Sequence, residues 1–284
     1  MNNTKMSIDS VDPFEFDFIS TKLRTFFKSR GMIECYEQNK RTIMAACEDP
    51  QTVGFYECKG LPFPLPQTNQ MNLEDVILDN PNKAPGYFTL TTSYRFEQNP
   101  NPTRHNTIFP MIEFELPCNF DGLLEFEKDL LEHLGFGPKE NYPEGDYLDI
   151  CKKYGVDELG HEHEQKLFED YGPVFFLKNF PESTSPFWNM KRNEKTGLAE
   201  KVDVIICGIE TFGSASRSID MDEMRKRFYT ISDGEYANLL FTKFGKERVE
   251  EELEKYLSHV FFDRSGCGIG ITRLCRGLKM TKLM

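Results

Sequence analysis

The chain has 284 residues, 39% of them hydrophobic and 28% charged, a composition that supports an ordinary buried core and excludes extensive disorder. Its formal net charge of -12 argues against a protein that mainly grips the nucleic-acid backbone, although a local basic cleft for a small polyphosphate is compatible with it. No apolar run approaches the roughly 18–20 residues that a membrane helix needs, and the polar N-terminus lacks the features of a signal peptide. The eight cysteines are dispersed without a C-x-x-C pair, as in a reducing compartment. We therefore expect a cytoplasmic protein without a membrane association.

The first predicted helix begins at Asp12 and Pro13, because aspartate caps a helix N-terminus and proline fits the first helical position. Gly31 is its predicted stop. After a second predicted helix over 67–78, residues 87–97 and 107–115 are rich in aromatic and β-branched types. They predict an antiparallel hairpin whose polar tip carries Asn-Pro twice.

The second half of the chain alternates predicted helices and strands. Helices are predicted over 121–134, around 146–155, over 220–228 and over 246–259, and strands over 174–177 and 202–207. Residues 136–172 are otherwise predicted to be irregular, and a glycine-rich strand from Gly266 leads into a last helix. Because no linker interrupts this order, we expect one α+β domain over residues 1–284, built around an antiparallel sheet flanked by helices.

Charged and aromatic side chains gather on the predicted hairpin. Arg95 and Glu97 are two residues apart on one strand and therefore share a face. A simple cross-strand ion pair is the alternative for these two residues alone. Arg104 and His105 lie at the tip, and Phe109 follows on the return strand. Together they offer a fork for phosphate oxygens, an acceptor for an amino group, further cations and an aromatic plate, which suits a purine nucleotide with a phosphate tail.

The glycine-rich segment over 266–274 is not a dinucleotide-binding fingerprint, because Ile271 stands where the third glycine would be. Two interpretations stay open for it. The glycines let a strand approach a flat ligand while Arg273 reaches over that ligand, or they let the strand contact a helix closely.

A third set consists of Asp203, Glu210 and Arg217, spaced seven residues apart. An acid within the apolar run of Asp203 is costly unless it is paired or binds a metal. Two carboxylates facing a polyphosphate would hold Mg²⁺, and a structural pair between Asp203 and a Lys or Arg is the alternative. The histidine-rich segment over 161–164 lies in a charged stretch and is predicted to be a solvated surface.

These segments resemble, in the same order, the motifs of class II aminoacyl-tRNA synthetases of the aspartyl/asparaginyl branch. The segments over 95–97 and 104–109 resemble motif 2 with its loop, and the segment over 266–273 resembles motif 3. The segment over 203–217 is similar to the acid-acid-arginine segment of the branch, and residues 67–70 are similar to its Q-S-x-Q. The resemblance covers about residues 15–284 without the anticodon-binding barrel of the branch. In this the chain is also similar to archaeal asparagine synthetase-related proteins.

The resemblance implies the class II antiparallel sheet and a bent ATP, and it assigns a role to each matching residue. It places Arg95 at the α-phosphate and Glu97 at the adenine amino group, Arg104 and His105 at the outer phosphates, Phe109 and Arg273 around the adenine, Asp203 and Glu210 at Mg²⁺, Arg217 at the side chain of aspartate or asparagine, and Gln70, Thr68 and Glu48 at the amino-acid backbone. Arg95 and Arg273 would be the catalytic residues, because they neutralise charge that develops on the phosphates.

The expected function is the ATP- and Mg²⁺-dependent activation of asparagine or aspartate as an aminoacyl-adenylate, by a ligase that acts as a stand-alone catalytic domain. Leu73 stands where aspartyl enzymes have a lysine, which favours asparagine, although Arg217 alone would still hold aspartate. The alternatives are an ammonia-dependent asparagine synthetase and a non-catalytic binding paralogue. The resemblance implies a homodimer, and it leaves open whether tRNA is a partner.

Overall fold

A mostly antiparallel sheet forms the centre of the protein, as a computed structural model describes it for residues 11–36, 41–43, 52–96 and 106–284. The strands are β1 (Ile33–Glu34), β2 (Phe55–Cys58), β3 (Leu61–Pro64), β4 (Tyr87–Tyr94), β5 (Ile108–Leu116), β6 (Glu144–Asp146), β7 (Val174–Phe180), β8 (Ala199–Ile206), β9 (Ile209–Ser216) and β10 (Ser265–Gly270). Eight of them make one sheet in the order β1-β4-β5-β10-β9-β8-β7-β6, and β2 and β3 form a separate hairpin. The two edge strands β1 and β6 pair in parallel with their neighbours, and the inner pairs are antiparallel.

Helices cover this sheet on both faces. They are α1 (Pro13–Ser29), α2 (Gln70–Asp79), α3 (Phe120–Leu134), α4 (Tyr147–Tyr154), α5 (His161–Tyr171), α6 (Met221–Thr230), α7 (Glu235–Phe244), α8 (Lys246–Leu257) and α9 (Ile271–Met280). The expected α+β class with an antiparallel sheet flanked by helices is therefore confirmed. Within the described ranges, no helix combines the length and the apolar character needed to cross a membrane.

Strand alternation divides the side chains of the sheet into an apolar face and a polar face. Phe88 on β4, Phe114 on β5, Val204 on β8 and Ile269 on β10 are fully buried against α1, α3 and α9. The residues at the alternate positions point to the opposite face. Consequently Arg95, Phe109 and Arg217, which the sequence analysis singled out, share the polar face with the three glycines of β10.

Two further apolar clusters flank the polar face. The helices α2, α6, α7 and α8 pack around the fully buried Trp188, whose ring meets those of Phe228 and Tyr256 edge to face. At the other end of the sheet, α4 and α5 pack against Phe175 and Leu177 of β7. These clusters form two walls above the sheet, and a depression remains between them.

Several elements differ from the predictions. Helix α5 lies in the stretch predicted to be irregular, because Leu167 and His163 are buried on its inner face despite its highly charged sequence. Helix α7, strand β9 and the β2–β3 hairpin were also missed. Helix α2 begins at Gln70 rather than at residue 67, because the preceding residues bind the sheet: the Gln67 carbonyl accepts a hydrogen bond from Ser93 Oγ at 2.8 Å.

Glu127 of α3 is a fully buried carboxyl group beneath the sheet. Ser214 Oγ donates a hydrogen bond to it. Burial raises the pKa of Glu127 to about 8, although contacts with Ser214 and Cys267 oppose the shift. The folded protein therefore holds this group in its protonated form at neutral pH.

The pKa of Glu127 predicts a pH dependence of stability. The unfolded chain loses this proton near the ordinary value of 4.5, and the folded chain keeps it up to about pH 8. The stabilisation is thus complete below pH 4.5 and is lost as the pH rises to about 8. We expect Glu127→Gln to flatten this decline in urea unfolding between pH 5 and 8. Glu132→Gln, on the exposed face of the same helix, is the control, and equal slopes for wild type and both variants would contradict the assignment.

Candidate active site

A cavity of about 370 Å³ lies on the polar face of the sheet, between the two helical walls. Residues from three segments that the sequence analysis treated separately line it together. The predicted site residues around this cavity are Thr68, Gln70, Arg95, Phe109, Glu210, Arg217 and Arg273. The tertiary structure therefore brings the predicted hairpin, the glycine-rich segment and the acid-acid-arginine segment to one place.

Two adjacent glycines make the cavity floor flat. Gly268 of β10 pairs with Gly213 of β9, and Glu113 of β5 and Asp203 of β8 continue the same cross-strand row on either side. A Cβ atom on Gly268 would lie 2.8 Å from Cε of Met111, closer than real contacts allow. Gly268 and Gly270 line the cavity. This arrangement supports the first interpretation of the glycine-rich segment, in which the strand approaches a flat ligand.

Polar groups from the loop before α2 lie at one side of this floor. Thr68 Oγ1 donates a hydrogen bond to the Glu113 carboxylate, and the backbone N–H of Asn69 donates to the same carboxylate at 2.8 Å. The N–H of Gln70 in turn donates to Thr68 Oγ1 at 3.1 Å. Glu113 is thus a cavity-lining acid held in a fixed orientation. The sequence analysis missed it, although its position four residues after Phe109 on the same strand places both on one face.

Arg217 lies at the bottom of the cavity in a cluster of buried charges. Its guanidinium, 2% exposed, donates to the Glu115 carboxylate through Nε at 3.2 Å and Nη2 at 3.3 Å. Glu74 Oε1 lies 3.5 Å from Nε of Arg217, and Arg264 Nη2 donates to Glu74 Oε2 at 2.7 Å. With the Gln70 amide oxygen turned towards the guanidinium, Gln70 accepts a hydrogen bond from Nε at 2.7 Å.

The cluster contains two carboxylates and two guanidinium groups, and its members shift each other's pKa. Burial alone would raise the pKa of Glu74, but Arg264, Arg217 and the Tyr256 hydroxyl outweigh it and hold that pKa below the ordinary value. Burial raises the pKa of Glu115, although Arg217 opposes the change. Glu74 thus provides the ionised carboxylate of the cluster, and Glu115 holds Arg217 through hydrogen bonds.

Glu210 and Arg273 lie together at the opposite rim. Arg273 Nη1 donates to the backbone carbonyl oxygen of Glu210 at 2.7 Å and lies 3.8 Å from its carboxylate. The Glu210 side chain extends over Gly213, where a Cβ would lie 3.1 Å from Oε1.

Arg95 follows directly on β4, and its backbone N–H donates to the carbonyl of Thr107 at 2.9 Å, which continues the hairpin pairing.

Asp203 lies on the cavity face of β8 but pairs with a neighbouring cation. Lys201 Nζ lies 3.1 Å from Asp203 Oδ2, and Lys201, not Asp203, lines the cavity. This contact matches the structural ion pair that the sequence analysis left open. Among the residues that the structure describes, no three His, Cys, Asp or Glu side chains cluster as a metal site. The role of Asp203 at Mg²⁺ stays a prediction.

Some predicted site residues lie outside the described residues, namely Glu48, Glu97, Arg104 and His105. Leu73, the residue on which the preference for asparagine was based, is fully buried in the apolar cluster around Trp188 and does not line the cavity. Position 73 therefore contributes no cation to the cavity.

The expectation that the segment over 161–164 is a solvated surface was wrong for its second half, whereas His161 and Glu162 are exposed. His163 is buried, and His161 and Glu164 line the cavity. Packing of α5 against β7, β8 and β9 brings this segment to the rim, and nothing in its local sequence indicated that packing.

The buried charge cluster predicts a large effect of removing one carboxylate. Glu115→Ala leaves the Arg217 guanidinium buried without its main acceptor, so we expect a loss of about 3 kcal/mol or more in the free energy of unfolding. Glu254→Ala, which removes an exposed partner of Arg225, should cost less than about 1 kcal/mol. Urea unfolding measures both, and equal losses would refute this account of the cluster.

Gly266 predicts a steric effect on the same cluster. A Cβ there would overlap the Glu115 carboxylate and lie 2.7 Å from Arg217 Nη2. We expect Gly266→Ala to destabilise the fold by about 1–3 kcal/mol. Gly270→Ala on the same strand is the control, because its nearest neighbour is 3.7 Å away. The explanation would fail if both variants unfolded at the same urea concentration.

Comparisons with known proteins agree with this architecture. Residues 21–282 match the family described as tRNA synthetases class II (D, K and N). Over 165 residues the chain is 33% identical to an aspartate–tRNA(Asp) ligase of Pyrobaculum aerophilum, a match that covers 49% of this chain and 38% of that protein. The chain thus matches well under half the length of this relative.

Solved structures share the fold over nearly the whole chain. Asparaginyl-tRNA synthetase from Pyrococcus horikoshii, complexed with asparaginyl-adenylate, superposes with a TM-score of 0.74 at 21% identity, covering 93% of this chain and 64% of that one. The corresponding complex from Entamoeba histolytica gives a TM-score of 0.71 at 20% identity, covering 93% and 63%. With its antiparallel sheet, its cavity and a family match that spans residues 21–282, the chain belongs to the class II tRNA synthetases of the D, K and N group.

Proposed function

We propose that this chain activates asparagine with ATP to form asparaginyl-adenylate and pyrophosphate, as a ligase does. The observation that carries the proposal is that one cavity is lined by Arg95, Phe109 and Arg273 together with Gln70 and Arg217. The first three suit a nucleotide, and the last two suit a small polar metabolite. A nucleotide and an amino acid would therefore lie side by side on the glycine floor.

The amino acid would bind on the side of the cavity nearest α2. The Glu113 carboxylate, held by Thr68 and the Asn69 N–H, is a suitable partner for an α-ammonium group. Arg217 would then face the substrate side chain, and Gln70 beside it would contact the amino-acid backbone, as the resemblance implies. Glu48 falls outside the described residues, and its role at the amino-acid backbone stays a prediction.

The charge of the cavity floor favours asparagine over aspartate. Arg217 is paired with Glu115 and approached by Glu74, so its net attraction for a further carboxylate is small. A neutral amide accepts a hydrogen bond from the guanidinium without adding a further negative charge beside the buried Glu74 carboxylate. The leucine at position 73, which provides no cation, points in the same direction. Asparaginyl-adenylate is held on the same fold by the solved relatives from Pyrococcus and Entamoeba, whereas the relative at 33% identity is an aspartate–tRNA(Asp) ligase.

The nucleotide would bind over the glycine floor. Phe109 and Arg273 offer an aromatic ring and a planar guanidinium on which an adenine stacks. Arg95 would neutralise the α-phosphate. The predicted contacts of Glu97, Arg104 and His105 extend this site into residues outside the described ranges.

A Mg²⁺ ion fits the donor set around Glu210. This ion typically binds one or two carboxylates together with substrate phosphates and water, so a single cavity-lining carboxylate is sufficient. Glu210 provides such a group, 41% exposed, with its backbone fixed by Arg273. When bound, the ion would neutralise phosphate charge. Asp203 would join it only if its contact with Lys201 opened.

The reaction needs positioning and charge neutralisation rather than a protein nucleophile. An oxygen of the substrate carboxylate forms a bond to the α-phosphorus, and the bond from that phosphorus to the bridging oxygen of the β-phosphate breaks. Pyrophosphate leaves with the electron pair. Arg95 would stabilise the negative charge that develops on the α-phosphate, and the cavity would hold both reactants in line.

ATP–pyrophosphate exchange across the twenty amino acids tests the substrate assignment. We expect exchange with asparagine to exceed that with aspartate. Ammonium-dependent AMP release with aspartate would instead identify an aspartate–ammonia ligase. ATP binding in calorimetry without exchange and without AMP release would identify a non-catalytic binding paralogue. A homodimer stays a prediction of the resemblance and a cytoplasmic location a prediction of the sequence, and tRNA stays open as the acceptor.

Arg273 provides a direct test of the nucleotide site. Arg273→Ala removes a cation from the cavity, and we expect kcat/KM for ATP to fall by about 100-fold or more. Arg276→Ala is the matched control, because this arginine lies on the same helix but bonds the Cys207 carbonyl at 3.1 Å instead of lining the cavity. Similar losses in the two variants would refute the placement of ATP.

A further inference from the structure

The backbone of Glu210 is held by charged side chains from two different helices. Its N–H donates to Glu164 Oε2 of α5 at 2.7 Å, and its carbonyl oxygen accepts from Arg273 Nη1 of α9 at 2.7 Å. Hydrogen bonds to charged groups are among the stronger ones in proteins. Glu164 and Arg273 therefore bind the backbone of the same residue, one at its N–H and the other at its carbonyl oxygen.

An irregularity in the sheet explains why this segment needs external support. Ile205 of β8 faces Glu210 in the register, and Val204 faces Phe212, so Thr211 is an extra residue on β9. Such a bulge bends the strand locally and redirects a side chain. Here the bulge lies at the cavity edge, and both Glu210 and Thr211 line the cavity.

Helix α5 packs against the strands on either side of this bulge. Leu167 is fully buried on its inner face, and His163 Nδ1 accepts a hydrogen bond from the N–H of Gly160 at 2.8 Å. The helix approaches the β8–β9 turn so closely that a Cβ on Gly208 would lie 3.2 Å from the Cα of Gln165. Gly208 also has a φ of +80°, which favours glycine. Glu164 is thus presented to Glu210 by a fixed element.

We propose that Glu164 is a positioning residue of the active site, which fixes the bulge so that the Glu210 carboxylate points into the cavity. Its carboxylate acts through the backbone of Glu210. The effect of Glu164 on Mg²⁺ binding rests on the proposed function, whereas its effect on the bulge does not. Glu164 also contacts His161 Nδ1 at 3.5 Å, which places a second cavity-lining side chain of α5 beside the same carboxylate.

The test uses the full chain with Glu164→Ala, Glu164→Gln and Glu169→Ala. Glutamine keeps an oxygen that accepts the Glu210 N–H. Glu169 is an exposed acid on the same helix that bonds Gln165, so its variant controls for charge and helix stability. The first readout is amide hydrogen exchange of peptides spanning residue 210, without nucleotide. We expect faster exchange in Glu164→Ala alone.

The second readout is the Mg²⁺ concentration that gives half-maximal binding of a non-hydrolysable ATP analogue in calorimetry. We expect a rise of about tenfold in Glu164→Ala, as for loss of a charge-assisted hydrogen bond, and a rise of less than about threefold in the other two variants. Unchanged exchange around residue 210 in Glu164→Ala would overturn the proposal, and so would an unchanged Mg²⁺ midpoint. Failure of the wild type to bind the analogue would instead refute the proposed function, while the exchange experiment would still decide the role of Glu164.

Discussion

The cavity floor depends on a cluster of four buried ionisable side chains. Arg217 reaches the cavity because Glu115 holds its guanidinium from one side and Glu74 approaches from another, while Arg264 balances the second carboxylate. An unpaired charge at this depth would cost several kcal/mol, so Arg217 and Arg264 depend on the Glu74 carboxylate, and Glu115 completes the hydrogen bonding of Arg217. The cluster therefore holds the Arg217 guanidinium at the cavity floor.

The glycines of β10 leave the space that this cluster and the cavity need. Gly266 leaves room for the Glu115–Arg217 pair, and Gly268 leaves room for Met111 and for a ligand above the sheet. One strand without side chains on its polar face thus serves both the buried charges and the open floor. The apolar face of the same strand packs Cys267 and Ile269 into the core. Alternation along a single strand therefore separates the site from the structural core.

The helices at the rim complete the site from outside the sheet. Arg273 comes from α9, which follows the glycine strand directly, whereas Glu164 comes from α5, which is distant in the chain. Both bond the backbone of Glu210. The family match and the solved relatives show which fold this is, and the particular side chains at the floor and rim are what support a specific substrate.

The sequence alone determined the fold class and several of the residues that line the cavity, because residue type and spacing are local properties of the chain. Arg95, Phe109, Glu210, Arg217 and Arg273 were singled out in this way, and the resemblance to class II synthetases assigned their roles. The tertiary structure decided the contributions of Glu74, Glu164 and Arg264, and it gave Asp203 a lysine partner. The contacts of Glu74, Glu164 and Arg264 join residues that are 46 to 190 positions apart in the chain. A local sequence pattern cannot indicate a partner at that distance. The tertiary structure also buried Leu73. Whether a helical residue faces the core or the cavity depends on how its helix packs, and packing is a property of the whole chain.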